Sequence, residues 1–397
     1  MRILVANLGS TSFKCRLFEV TSEGFKALGK AGVESVTDYG AAIEEGLGIL
    51  REQGALQAGE KIDAVGFKTV LGHNLSGCVE ADETCLAALE AGIPLAPAHN
   101  PPYIQGIRTF QEKMPEATLV ALFETAFYQW VSPAAKAYAV PAAWRKAGVQ
   151  RHGFHGASHK FIAERVAALM GRDDIATRVQ ELYQPQGPAA IDPTTKPFRV
   201  ISCHLGGSSS VTGVKNGVAI GTSMGLSPQS GLPQNNRVGE IDSMALGFAM
   251  RTLNLSLDEA ERQLCKESGL LGLSGVSNDL RHIVEAADGG NTDAQLALDH
   301  FVHQIRHWVG SFWIAMGGCD ALVFTAGIGE NNPAIREAVV KGLEEMGLKL
   351  DARANASGPE ERKISAEDSN TAVWTIPTNE ELVVATEAYR LVSRKTS

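Results

Sequence analysis

Two short segments, almost half the chain apart, read alike and constrain the fold more than any other feature. Residues 7–12 are Asn-Leu-Gly-Ser-Thr-Ser and residues 204–209 are His-Leu-Gly-Gly-Ser-Ser, with Gly9 and Gly206 separated by 197 of 397 residues. Each follows an apolar run, Ile3–Ala6 or Arg199–Cys203, and each is followed by another, Lys14–Val20 or Val211–Val214. The pattern is strand, small-residue turn, strand. It points to one unit used twice, although short Gly/Ser turns also recur by coincidence.

A third apolar run, Ala321–Ala326, leads into Gly327-Ile-Gly-Glu-Asn-Asn-Pro. Asn332 suits an N-cap and Pro333 the first helical turn, so a helix is expected over Ile335–Met346. The last residues, from Asn379-Glu-Glu-Leu onward, read as a closing amphipathic helix. Strand runs alternating with helical stretches indicate an α/β architecture. Pro185, Pro188, Pro193 and Pro197 exclude a regular element between Tyr183 and Pro197.

At 397 residues the chain is long enough for two large domains or three small ones. A net charge of −9 with no compensating basic block argues against a nucleic-acid surface. Six scattered cysteines without CxxC spacing suit free thiols in a reducing compartment. The opening MRILVANLG carries no leader pattern, and no run approaches the ~18 apolar residues of a membrane span. A cytoplasmic globular protein, with no nucleic-acid or membrane partner, is expected.

Glycine turns after strands let backbone N–H groups converge on a phosphate, and neighbouring hydroxyls add donors. Gly9-Ser-Thr-Ser with Lys14, Gly206-Gly-Ser-Ser-Ser and Gly327-Ile-Gly-Glu-Asn all meet that requirement. An ordinary hairpin is the plain reading of any one of them; three in one chain favour phosphate handling. None matches the P-loop or the dinucleotide fingerprint.

With these turns go NLGSTSFK (7–14), LFETAF (122–127), GFHGASH (153–159), SCHLGGSSS (202–210), NRVGEID (236–242), NDLR (278–281), FTAGIGEN (324–331) and PTNEEL (377–382). In these ordered segments the chain resembles the acetate kinase family of the acetate and sugar kinase and actin superfamily. The resemblance implies a duplicated ribonuclease-H-like (actin-like ATPase) α/β fold with an interdomain cleft. The lobes would be 1–147 plus 380–397, and 148–379. It implies ATP- and Mg²⁺-dependent, reversible phosphorylation of a short-chain carboxylate such as acetate or propionate to an acyl phosphate. A homodimer is implied by the same likeness.

Carried over residue by residue, Arg237 matches a phosphate- and substrate-binding arginine, and a guanidinium fork suits planar oxyanions. His155 matches a donor to the in-flight phosphoryl oxygens, and His99 a supporting histidine. Asn7 and Glu380 match positions associated with Mg²⁺ and its waters. The nucleotide would be held by Ser10, Ser12, Lys14, His204, Gly206, Gly207, Ser208 and Ser209, together with Asp279, Leu280 and Arg281. Gly327, Ile328, Gly329, Glu330 and Asn331 would complete its site. Val70, Ala98, Phe154 and Pro228 would line the acid pocket. His303 and His307, four apart on an amphipathic stretch, read as packing residues instead of a metal pair.

The chain departs from the family's pattern at several positions. Glu124 stands where an aspartate is usual, and Lys68 where an arginine is usual, which predicts looser recognition of oxyanions. Gln234-Asn-Asn replaces methionine-glycine-threonine ahead of Arg237, and Gly221 replaces an aspartate. Ala98 in place of leucine predicts a roomier pocket. Two alternatives remain open at this level: a kinase of the same fold with another acceptor or donor, and a nucleotide-binding protein with little turnover.

Overall fold

The computed structural model describes residues 1–397 apart from Ser10, Ser22, Glu23, Ala58, Ala98 and Ser397, and of Thr396 the backbone alone. Ser10 and Ala98, expected at the nucleotide and acid sites, therefore lie outside the described residues.

Two six-stranded sheets share one topology. In the first, β1 (Arg2–Gly9), β2 (Ser12–Thr21) and β3 (Gly24–Glu34) form an antiparallel meander. Parallel β4 (Ala64–Thr69) and β6 (Thr118–Phe123) follow, with β5 (Cys78–Glu80) antiparallel at the edge. In the second, β7 (Arg199–Leu205), β8 (Ser209–Lys215) and β9 (Val218–Thr222) repeat the meander. Parallel β10 (Ala321–Thr325) and β12 (Ala372–Thr375) follow, and β11 (Arg362–Lys363) is the antiparallel edge. Each meander is even irregular in the same outer pair, at Leu17/Phe18 and at Gly213/Val214. The repeat legible at Gly9 and Gly206 is a duplication of the whole sheet.

The central strands are apolar on both faces because helices cover both sides; Ile3, Leu4, Ala6, Ile201, Cys203 and Ala321–Phe324 are buried. The C-terminal helix, Glu380–Thr396, returns to the first sheet. At Gly66 of β4 a Cβ would stand 2.7 Å from Val384 Cγ1, so glycine there sets how closely that helix can lie. On its other side it meets the Gly156–Leu169 helix, which packs in turn against β7. The two lobes thus meet through a pair of helices. Lys160 and Glu387, each 1% exposed, form an ion pair across that contact at 3.1 Å, with Arg390 also donating to Glu387.

Two expectations need correcting. Asn332 does cap a helix, accepting from Ile335 N, but that helix is Pro333–Val340 and stops short of Met346. Gly342 turns the chain at φ +79, and only a 3₁₀ turn, Glu344–Met346, follows. Residues 327–331 are not an extended glycine turn either: a short helix, Ala326–Asn331, begins at once after β10, with Ala326 at φ +64. The stretch 183–197 has no helix or strand. Among the described residues no helix is long and apolar enough to cross a membrane, and no cluster of His, Cys, Asp and Glu is arranged to hold a metal by itself.

Removing one partner of a buried ion pair strands the other charge and typically costs about 3–5 kcal/mol. Glu387→Ala is expected to lower stability by that order, read from urea or thermal unfolding, whereas the exposed pair Lys61–Glu116 can be broken with little effect.

Candidate active site

The β1–β2 and β7–β8 hairpins bring their turns toward the gap between the sheets. A cavity of about 350 Å³ opens there, lined from one lobe by Asn7, Gly9, Ser12, Lys14, Lys68, Val70, His99, Tyr103 and Glu124, and from the other side by Phe154, His155, Ser208, Pro228 and Arg237. A second cavity, about 490 Å³, is lined by Gly206, Gly207, Asn235, Asp279, Leu280, Arg281, Gly327, Ile328, Asn331 and Asn332. The β7–β8 turn is the wall between them: Gly206 and Gly207 face one cavity and Ser208 the other.

Most residues singled out from sequence therefore converge, in two groups. Four nucleotide expectations do not reach either cavity lining. Ser209 is buried and closes its own turn, donating to Gly206 O and accepting from Gly206 N. Gly329 is buried against Leu205 and Phe324. Glu330 turns inward, where burial raises its pKa against hydrogen bonds from Ala326 N, Thr378 N and Thr325 Oγ1. The fully buried Arg336 holds this short helix by donating to the carbonyls of Gly329 and Glu330 and to Asn355. His204 is likewise buried behind the cavity. Ser12 and Lys14 line the first cavity instead of the second, with Lys14 paired to Glu34.

Lys68 projects from the end of β4 between two carboxylates. It hydrogen-bonds Glu380 and stands 3.4 Å from Glu124 Oε1. Burial alone would lower its pKa, but Glu124 and then Glu380 outweigh it and hold the ammonium well above the lysine range. The carboxylates divide. Burial raises Glu124 despite Lys68, with Glu380 adding repulsion; at Glu380 burial opposes, and Lys68 and His204 win, lowering it. Lys68 thus serves first as counter-ion to this pair, an arrangement not anticipated from its sequence position. Both Glu124 oxygens are buried without a hydrogen-bond partner among the described residues, which leaves lone pairs for a ligand. Glu124 is seated by backbone: its carbonyl accepts from Gly156 N, where a Cβ would come within 2.2 Å of that oxygen. Asn7 Oδ1 accepts from Tyr103 Oη at 3.0 Å.

Opposite stands Arg237, half-buried. No carboxylate lies within ion-pair distance of it among the described residues. Gln234, 1% exposed, ties this corner together. Its Oε1 accepts from Ser208 Oγ at 2.6 Å and from Arg237 Nη1 at 3.4 Å, and its Nε2 donates to Pro228 O at 2.7 Å. In sequence Gln234 was only a departure from pattern; its polarity inside an apolar Leu-Pro context was the available signal. An uncompensated guanidinium beside a cavity is an anion site.

The histidines around it stay neutral. Burial drives His155 and His159 well below the ordinary imidazole value, and His204 to about 4. His99 is lowered by burial, then by Arg237 and Lys68. In the unfolded chain each titrates near pH 6.5. Below that pH the unfolded state binds more protons than the folded one, so stability falls with acidification. The loss should accumulate from about pH 6.5 downward and, for His204, level off near its folded value of about 4. Unfolding curves from pH 8 to 5 should show it, and replacing His204 by Gln should flatten the slope.

The chain is similar to known proteins along almost its whole length. The acetokinase family profile matches residues 28–182 and 186–386. Acetate kinase of Dictyoglomus turgidum is 38% identical over 100% of this chain and 98% of the relative. Among solved structures, Porphyromonas gingivalis acetate kinase superposes with a TM-score of 0.86 at 33% identity, covering 98% of this chain and 99% of the other. A propionate kinase from Francisella tularensis gives 0.82 at 34% identity over 98% and 99%. The two-lobed fold is thus that of the acetate kinase and actin-like ATPase group. With likeness extending end to end, the chain belongs to the acetokinase family and is a phosphotransferase that acts on a carboxyl group.

Proposed function

We propose that the protein transfers the terminal phosphoryl group of ATP reversibly to acetate or propionate, with Mg²⁺, in the gap between the two sheets, where the two cavities share the β7–β8 turn. The observation that carries this reading is Arg237, a guanidinium with no carboxylate partner among the described residues, at the cavity wall formed by Ser208. The nucleotide would occupy the second cavity, its base end near Asp279–Arg281 and Gly327–Asn331. Its phosphates would pass along Gly206 and Gly207 toward Ser208. The acid would lie against Val70, Phe154 and Pro228. The lobes would be residues 1–147 with 380–397, and 148–379.

A carboxylate is ionised near pH 7 and needs no general base. One of its oxygens attacks the γ-phosphorus; the new O–P bond forms as the bond to the bridging oxygen of ADP breaks. The protein's task is alignment and neutralisation of charge. Arg237 grips the oxyanions, His155 donates a hydrogen bond, and His99 stays neutral beside them. The oxygen donors of Glu124, Glu380 and Asn7 suit Mg²⁺, which favours few protein ligands, and the Glu124 oxygens, which make no hydrogen bond among the described residues beyond the 3.4 Å ion pair with Lys68, support that fit. Bound there, Mg²⁺ supplies positive charge to the phosphates.

Propionate activity follows from the expected extra room, and one relative of known structure is titled a propionate kinase. Hydroxamate trapping with ATP, Mg²⁺ and acetate, propionate or butyrate should yield acyl hydroxamate. The kcat/KM for propionate should at least equal that for acetate, and a clear preference for acetate removes the size argument. Arg237→Ala should lose about 10²-fold or more in kcat/KM.

We further propose a homodimer through the second lobe. The Ser243–Leu253 helix buries no side chain, and Met244, Phe248 and Leu253 are each more than 60% exposed. Light scattering should report twice the chain mass, and Phe248→Glu should return the monomer.

A further inference from the structure

Behind His155 runs a polar chain to which the reading above gives no part. His155 sits at φ +59 at the head of the Gly156–Leu169 helix, its ring stacked on His204 with centroids 4.1 Å apart. His155 Nδ1 lies 2.8 Å from Ser210 Oγ. The same oxygen lies 2.8 Å from His159 Nε2, and His159 Nδ1 lies 2.8 Å from Ser202 Oγ. Ser202, Ser210 and His159 are all fully buried, so this chain is closed to solvent. Among the described residues no protein group pairs with the other nitrogen of His155, Nε2, and His155 lines the first cavity.

A neutral imidazole carries one N–H and one lone pair, and a hydroxyl has a single proton to give. Ser210 Oγ could accept from both rings, but its own buried proton would then have no partner in the chain; all three bonds form with that proton used only if every donor points the same way. In one direction Ser202 Oγ–H donates to His159 Nδ1, His159 Nε2–H to Ser210 Oγ, and Ser210 Oγ–H to His155 Nδ1. His155 then offers Nε2–H to the cavity. In the other direction every bond reverses, and His155 offers a lone pair. An anion held by Arg237 accepts an N–H and repels a lone pair, so it selects the first direction.

We propose that Ser210, His159 and Ser202 are positioning residues that fix His155 as an Nε2–H donor toward the transferring phosphoryl group. Ser210 is the hinge of the device, since its one proton decides the tautomer of both rings. It also explains why a serine is buried among histidines on β8, with no contact of its own to the cavity. The burial that keeps both rings neutral supports the same conclusion, because a doubly protonated ring would break the alternation.

The proposal rests on the phosphotransferase reading only for its kinetic consequence; the tautomer can be read without turnover. In protein labelled with ¹⁵N-histidine, with inorganic phosphate as the anion, His155 should show a bare Nδ1 and a protonated Nε2. Ser210→Ala removes the donor to Nδ1. It cuts the link between the rings: in wild type phosphate should set His159 to Nε2–H along with His155, whereas in Ser210→Ala the His159 signals should no longer respond, and kcat should fall about 10- to 100-fold with KM little changed. Ser210→Thr keeps the hydroxyl and should restore both. Should the added methyl prevent folding, Ser202→Ala at the far end, out of reach of any substrate, removes the donor to His159 Nδ1 and should weaken the same response. A His159 tautomer that ignores phosphate in wild type, or still follows it in Ser210→Ala, overturns the proposal, whether or not kcat falls. The linked response in a protein that makes no acyl phosphate upholds the chain and sinks the reaction instead.

Discussion

A guanidinium with no counter-ion among the described residues, held beside a turn of small residues, is the interaction around which the rest of this molecule is organised. Arg237 can remain unpaired because Gln234 and Ser208 fix its position without neutralising it. Ser208 belongs to a turn that presents Gly206 and Gly207 to one cavity and its own side chain to the other. Larger side chains in that wall would separate the cavities; small ones let backbone N–H groups approach whatever spans them. The duplicated sheets matter here because each delivers one such hairpin to the gap between them.

The electrostatics on the two sides of the gap are complementary. Toward the first lobe, one cation, Lys68, stands between two carboxylates, Glu124 and Glu380, and neither Glu124 oxygen has a hydrogen-bond partner among the described residues. Toward the second, the cation is unbalanced and the histidines are neutral. An anion approaching this gap meets Arg237 and neutral hydrogen-bond donors, while a hard cation meets oxygen donors across from it. The helix pair that joins the lobes, pinned by Lys160 and Glu387, sets the distance between those two faces.

The sequence made the hairpins legible because a strand ending in Gly/Ser and resuming at once leaves few other geometries. Arg237, His155 and Glu124 stood out only through likeness to the family. Sequence pattern failed where partners are far apart in the chain. Lys68 meets Glu380 across 312 residues, and Gln234 meets Ser208 across 26, so neither role shows in local pattern. It also failed on facing: residues 327–331 form a short helix, and only the position of Arg336 reveals that Gly329 and Glu330 turn inward while Ile328 and Asn331 line the cavity. The helix expected to reach Met346 ended early because apolar spacing continues past Gly342, where the backbone does not. His159 lies one turn from His155 on one helix face, but its serine partners come from another sheet.

The most direct measurement is a crystal structure of the protein with a non-hydrolysable ATP analogue, Mg²⁺ and acetate. The phosphates should run over Gly206 and Gly207, with the terminal one between Ser208 and Arg237 and the acetate on its far side against Val70 and Phe154. A nucleotide bound elsewhere, or a terminal phosphate that stays in the second cavity out of reach of Arg237 and His155, would contradict the shared wall on which the whole arrangement depends.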